Sequence, residues 1–152
     1  MPRKKRNIRI CVILLIFNVL FIWGNSLLPA NASAALSGFI KKILECILPL
    51  GDGEPELNHG SLRKLAHFTE FASLGALLTW LYTMLSKRAV FLLPCSVLVA
   101  CVDEFIQRFV PGRGASIIDV LIDSFGALLG ICAVLAVHGL VAKKQKIDTK
   151  QS

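Results

Sequence analysis

Ionisable side chains occur inside three apolar segments of this chain, where each costs about a few kcal/mol unless it has a partner, a wet cavity or a task. They are His67, Glu70, Asp103, Glu104, Asp119 and Asp123. Clustered carboxylates can hold one member protonated and another ionised, and an imidazole titrates near neutral pH, so the set could supply an acid and a base. The same groups could instead pair with cations and fix which helices are neighbours.

Cationic and polar residues accompany these acids and could hold an anionic ligand. They are Lys64, Gln107, Arg108, Arg113 and Ser116. Arg113 lies in a turn built from Pro111, Gly112 and Gly114, and its planar guanidinium can hold two oxygens of a phosphate or carboxylate at once. Ser116 can cap the helix that follows, and the amides at that helix start add a preference for anions.

A metal site formed by His67, Glu70, Asp103 and Asp119 is another interpretation of the cluster, since imidazole and carboxylates suit several divalent ions. No diagnostic ligand spacing supports it, and closed metal sites usually contain more histidine or cysteine. The sequence also holds no glycine-rich phosphate loop and no nucleophile triad. We therefore expect neither a metal nor a cofactor.

The elements that must position these residues are apolar helices. Of the 152 residues, 55% are apolar and 18% are charged, a balance richer in apolar residues than ordinary globular domains have. Four stretches approach or exceed the roughly 20 residues that cross a bilayer as a helix: residues 10–28, 65–85, 89–110 and 117–138. We predict an all-α membrane protein, with one domain over residues 1–152 that holds four transmembrane helices and short loops.

Only the connection between the first two segments is long, and its apolar residues recur at helical spacing. They are Leu36, Phe39, Ile40, Ile43, Leu44 and Ile47. This pattern predicts a short amphipathic helix that lies in the outer membrane surface.

The net charge of +7 is concentrated at the two ends of the chain. If the N-terminus is cytoplasmic, eleven lysines and arginines lie on the inner side and six on the outer side, so the positive-inside rule predicts a cytoplasmic membrane protein with both termini inside. Cations confined to the flanks of apolar segments also argue against a nucleic-acid partner. The first segment with Ala30-Asn31-Ala32 could alternatively be a cleaved secretory signal, which would leave three helices.

This topology brings the ionisable residues together, because the second and fourth helices enter from the outside and the third leaves there. At 1.5 Å per residue the deepest of them lie about 10 Å below the outer interface. We predict a polar pocket that faces the outer leaflet and is ringed by Lys64, Arg108 and Arg113. Gly126 and Gly130 have the spacing of a close helix contact, either within the bundle or between copies in an oligomer.

Three ordered motifs make the chain resemble the VanZ-like family of small bacterial membrane proteins. They are RKLAHFTEF at residues 63–71, DEFIQRFVPGR at 103–113, and DVLID at 119–123 followed by the two glycines. The segment NSLLP at residues 25–29, which closes the first helix, also fits. The resemblance covers most of the chain and implies that the first helix is retained.

The resemblance implies a role in the cell envelope, because the family's namesake is associated with resistance to teicoplanin-type glycopeptide antibiotics. Our leading hypothesis is that the outer pocket handles an anionic envelope lipid or a lipid-associated antibiotic, with membrane lipids as partners. One alternative is an intramembrane hydrolase or transferase that acts on a lipid-linked substrate through His67, Glu70 and Asp103. Another is a small proton-linked carrier or an assembly partner. The family often has a histidine where this chain has Ile106, so we expect binding rather than catalysis.

Overall fold

The computed structural model describes residues 3–35, 38–39, 59–85 and 89–151, and this part of the chain consists of helices joined by short turns, without a strand. Four long helices dominate it: α1 (Arg3–Ser26), α2 (His59–Leu85), α3 (Leu92–Gln107) and α4 (Ile117–Gln151). A 3-10 turn at Ala89–Phe91 precedes α3. The all-α prediction is confirmed. The predicted surface helix lies almost entirely outside the described residues.

The four helices coincide with the four apolar segments, but their ends differ from the predicted ones. The first begins among the N-terminal basic residues, α2 begins at His59 and α4 continues to Gln151, because polar residues can continue a helix beyond its apolar run. In contrast, α3 has only 16 residues, or about 24 Å at 1.5 Å per residue. The 3-10 turn occupies its predicted start, and a turn follows Gln107.

Two of these helices are long and apolar enough to cross a membrane: Arg3–Ser26 and the Ile117–Thr149 part of α4. The count of four membrane-spanning helices is therefore not established by length and composition. Burial adds a separate observation, because Phe17 and Leu98 are exposed to 66% while Asp103 is fully buried. Large exposed apolar side chains of this kind mark a surface that contacts a membrane or another protein.

A small apolar core joins all four helices. Ile22 of α1, Phe71 and Leu74 of α2, Ala100 of α3 and Ala127 of α4 are buried against one another. This core fixes the lateral order of the helices, so that the polar residues one or two turns away are held at defined positions.

Helices α2 and α4 approach each other closely enough that only glycine fits at three positions. A Cβ on Gly126 would collide with the carbonyl oxygen of Phe68, and one on Gly130 with that of Ala72. From the other side, a Cβ on Gly75 would collide with the carbonyl of Ala127. The Gly126 and Gly130 pair thus packs within the bundle. Association of copies stays a prediction and would need another surface.

The turn between α3 and α4 is anchored to the segment that follows α1. Gly112 has a φ of 75°, a conformation that glycine adopts without strain. The Ala30 amide donates to the Pro111 carbonyl at 3.4 Å. The Asp119 amide donates to the Ser116 hydroxyl at 3.4 Å, so Ser116 caps the start of α4, as the sequence predicts.

Replacing Ser116 by alanine should lower the free energy of unfolding by about 1 kcal/mol, because an amide at the start of α4 loses its side-chain acceptor. The measurement is the unfolding midpoint of the detergent-solubilised protein. Ser124→Ala is the matched control, since the Ser124 hydroxyl donates to the Val120 carbonyl of its own helix. Equal midpoints for the two variants would contradict the capping role.

Candidate functional site

The six ionisable residues singled out in the sequence gather at one end of the bundle, which we call the polar end. There α1 and α3 end, and α2 and α4 begin. Bonds between the helices establish the arrangement: Ser26 of α1 contacts Asp103 of α3, and Glu104 of α3 contacts Ser116 at the start of α4. The polar end therefore contains side chains from all four helices at a similar depth.

Asp103 is the most enclosed residue of the polar end, with no exposed surface. Its Oδ2 accepts hydrogen bonds from the Ser26 hydroxyl at 2.8 Å and from the Gln107 amide at 2.9 Å. The Gln107 amide also donates to the Ser26 oxygen at 3.2 Å. Three helices, α1, α3 and α2, meet here, since the Nδ1 atom of His67 lies 3.7 Å from the same Oδ2.

His67 and Asp123 complete a compact group with Asp103. The exposed fractions of His67 and Asp123 are 9% and 1%. One ligand-capable atom from each of the three residues lies within 4.8 Å of the others. Each also has a buried polar atom without a hydrogen-bond partner among the described residues: Nδ1 of His67, Oδ1 of Asp103 and Oδ2 of Asp123.

The other three acids have direct partners. Glu70 accepts a hydrogen bond from the Asn25 side-chain amide at 2.6 Å, and Glu104 accepts one from the Ser116 backbone amide at 2.7 Å. Asp119 lies 3.4 Å from the Lys64 ammonium. The Ser116 amide, which the sequence predicted to favour an external anion, therefore bonds Glu104 instead. These three acids hold the helices together, so part of the acid cluster is structural.

A small recess opens at the polar end and encloses about 10 Å³, roughly the room that one water molecule needs. Its lining combines both signs of charge: Arg63, Lys64, His67, Glu104, Gln107, Asp119, Ile122 and Asp123. Gln107 lines it but uses its amide to hold Asp103, so its position indicates a supporting role.

Arg113 and Arg108, both predicted as ligand-binding cations, are placed differently. Arg108 is exposed, and neither of the two arginines lines the recess. Arg113 is half-buried, and its Nε and Nη1 atoms are enclosed without an acceptor among the residues described. Burial, and after it the charge of Arg63, lower the pKa of the Arg113 guanidinium. A guanidinium that is desolvated beside a second cation is an arrangement that an anion would stabilise.

Reasoning from composition and spacing gave no role to three residues of the polar end. Ser26 and Asn25 hold Asp103 and Glu70, and Arg63 lines the recess. The sequence contained a signal for Asn25 and Ser26, because they are two consecutive polar residues at the end of an otherwise apolar helix. Arg63 could not be identified in this way, because the rotation of α2 about its axis decides whether Arg63 lines the recess together with Lys64.

Comparison with known proteins identifies a family for this chain. A family model described as VanZ/LLP1 matches residues 11–138, which include all four long helices in whole or in large part. Neither the curated proteins nor the solved structures yielded a match.

Proposed function

Because this chain belongs to the VanZ/LLP1 family, we propose that it is an integral membrane protein that binds the anionic headgroup of an envelope lipid at its polar end. In this proposal all four helices span the bilayer, both termini are cytoplasmic and the recess faces the outer leaflet. The excess of lysine and arginine at the two chain ends supports this orientation.

The observation that carries the proposal is the environment of Arg113. Two of its guanidinium nitrogens are buried and have no acceptor in the described part of the chain, although leaving such donors unpaired costs about 1–3 kcal/mol or more for a charged group. A phosphate offers several oxygens in the geometry that a guanidinium binds two at a time. An anion at this position would remove the cost.

The neighbouring acids do not accept hydrogen bonds from these Arg113 nitrogens, because they are bonded elsewhere. Glu104 bonds the Ser116 amide, Asp103 bonds Ser26 and Gln107, and Asp119 pairs with Lys64. Asp103 and Glu104 act on Arg113 through space, without a direct hydrogen bond among the described residues. Lys64 has an exposed side-chain fraction of 47%, so it can turn from Asp119 towards a ligand at low energetic cost.

Headgroup binding also offers a mechanism for the association of this family with antibiotic resistance. A protein that holds anionic envelope lipids at the outer leaflet would alter how a lipid-associated, teicoplanin-type antibiotic reaches the membrane surface. Resistance in this case would depend on the same cation, Arg113, and would be lost with it.

Arg113→Glu should weaken binding of short-chain phosphatidylglycerol by about tenfold to a hundredfold, because a charge-assisted bidentate contact worth about 1.5–3 kcal/mol becomes a repulsion. Native mass spectrometry of the purified protein measures the bound fraction, with phosphatidylcholine as the uncharged reference lipid. Arg108→Glu is the matched control, since it makes the same charge change in the same turn on an exposed side chain.

We expect Arg108→Glu to bind like the parent protein and Arg113→Lys to retain intermediate binding, because lysine keeps the charge without the planar fork. Equal weakening by the two glutamate variants would indicate a general charge effect and contradict the site. Equal binding of phosphatidylglycerol and phosphatidylcholine by the parent protein would contradict the proposal as a whole.

A further inference from the structure

We infer that His67, Asp103 and Asp123 form a binding site for a divalent first-row transition-metal ion at the floor of the recess. The three residues come from three helices, α2, α3 and α4, and one ligand-capable atom of each lies within 4.8 Å of the other two. The metal set considered from sequence also contained Glu70 and Asp119, which instead contact Asn25 and Lys64. Asp123, one helical turn after Asp119, joins His67 and Asp103 in their stead.

Unpartnered atoms are the first independent observation for this site. Nδ1 of His67, Oδ1 of Asp103 and Oδ2 of Asp123 are enclosed, and no donor or acceptor from the described segments satisfies them. Their residues are exposed to 9%, 0% and 1%. Buried polar atoms in native proteins are almost always partnered. Glu70 Oε2 and Asp119 Oδ1 at the same end are also unpartnered, but among the described residues the ligand-capable atoms converge on one point only at His67, Asp103 and Asp123.

Pairing within the group does not account for them. Nδ1 of His67 lies 3.7 Å from Oδ2 of Asp103, which is too long for a hydrogen bond. Asp123 receives no hydrogen bond or salt bridge from the residues that the structure describes. Two enclosed carboxylates can be ionised together only when cations lie close to both, and one divalent ion between them would neutralise both.

The geometry around Asp103 also matches a metal ligand. Ser26 and Gln107 both donate to Oδ2, which fixes the carboxylate and leaves Oδ1 free. Ligating carboxylates are commonly oriented by such outer hydrogen bonds. Atoms bound to one ion at about 2.0–2.2 Å lie about 3–4 Å apart, so small side-chain rotations would bring the three ligands into contact with an ion.

The ligand atoms and the access route limit which ions the site could bind. One imidazole nitrogen with carboxylate oxygens suits Mn²⁺, Fe²⁺ or Zn²⁺ better than an alkali ion. His67 and Asp123 line the recess, which gives an ion a path from the aqueous side. The remaining coordination positions would face the recess and be filled by water.

The test uses the full chain, purified in detergent, freed of metal by chelation, and titrated with Mn²⁺ and then Zn²⁺. We expect one ion per chain, with Mn²⁺ followed by electron paramagnetic resonance, and a higher thermal midpoint when the ion is bound. Asp123→Asn should weaken the binding by at least about tenfold to a hundredfold, since even the loss of an outer-shell partner has that effect.

Glu70→Gln is the matched control, because Glu70 is an acid of the same polar end that bonds Asn25 and lies outside the proposed ligand set. We expect it to bind like the parent protein. If Asp123→Asn does not fold, His67→Gln takes its place in the same titration. Absence of a stoichiometric ion on the parent protein, unchanged binding by the ligand variants, or equal losses in the variants and the control would each overturn the inference.

Discussion

Replacing Gly130 by alanine should lower the free energy of unfolding by about 1–3 kcal/mol, the usual cost of inserting a methyl group into a closed contact. The new Cβ would meet the carbonyl oxygen of Ala72 and the backbone nitrogen of Ala76. Backbone atoms cannot rotate away as side chains do, so α2 and α4 must separate along their contact. The measurement is chemical unfolding of the protein in detergent micelles, followed by circular dichroism.

Gly24→Ala and Gly139→Ala are the controls for this substitution. Both positions are helical, and a Cβ at either would have nothing within 4 Å. Because alanine loses less backbone entropy than glycine in a helix, these variants should be unchanged or up to about 1 kcal/mol more stable. A loss at Gly130 no greater than at Gly24 or Gly139 would show that the close approach of α2 and α4 does not support the fold.

The positions of the helices could be predicted from hydropathy, because an uninterrupted apolar run of this length has few other structures open to it. The ends could not. Polar residues such as Lys144 continue α4 well past the apolar run, whereas α3 ends at Gln107, three residues before the end of its apolar segment. Hydropathy predicts which segments could lie in the membrane, whereas the ends of a helix depend also on the residues of the adjoining turns.

The gathering of the acids at one end of the bundle could also be predicted. The acids lie near the start of α2 and α4 and near the end of α3, and antiparallel packing brings those ends together. The pairing of individual atoms could not. Asp119 and Asp123 are one turn apart on α4, yet the first lies within reach of Lys64 and the second is enclosed beside His67. Arg108 and Arg113 share one turn and differ in burial. Such differences depend on the rotation of each helix about its axis, which is set by the core and the glycine contact.

Asp103→Ala should lower the free energy of unfolding by about 2–5 kcal/mol, because it removes an acceptor from the centre of the bundle. The Ser26 hydroxyl and the Gln107 amide would both lose the carboxylate oxygen to which they donate. Since Asp103 is fully buried, water could replace that acceptor only by opening the helices. The loss is measured by the same chemical unfolding experiment.

Asp103→Asn separates hydrogen bonding from charge in this prediction. Its amide oxygen can accept from Ser26 and Gln107 in place of Oδ2, while its nitrogen replaces Oδ1, so most of the stability should return although the carboxylate is absent. Ser26→Ala on its own should cost less than Asp103→Ala, and the effects of Ser26→Ala and Asp103→Ala should be less than additive because the two residues share a bond. Additive losses, or an asparagine variant as unstable as the alanine one, would mean that the contact of α1 with α3 is held by packing and that the Asp103 network contributes little to it.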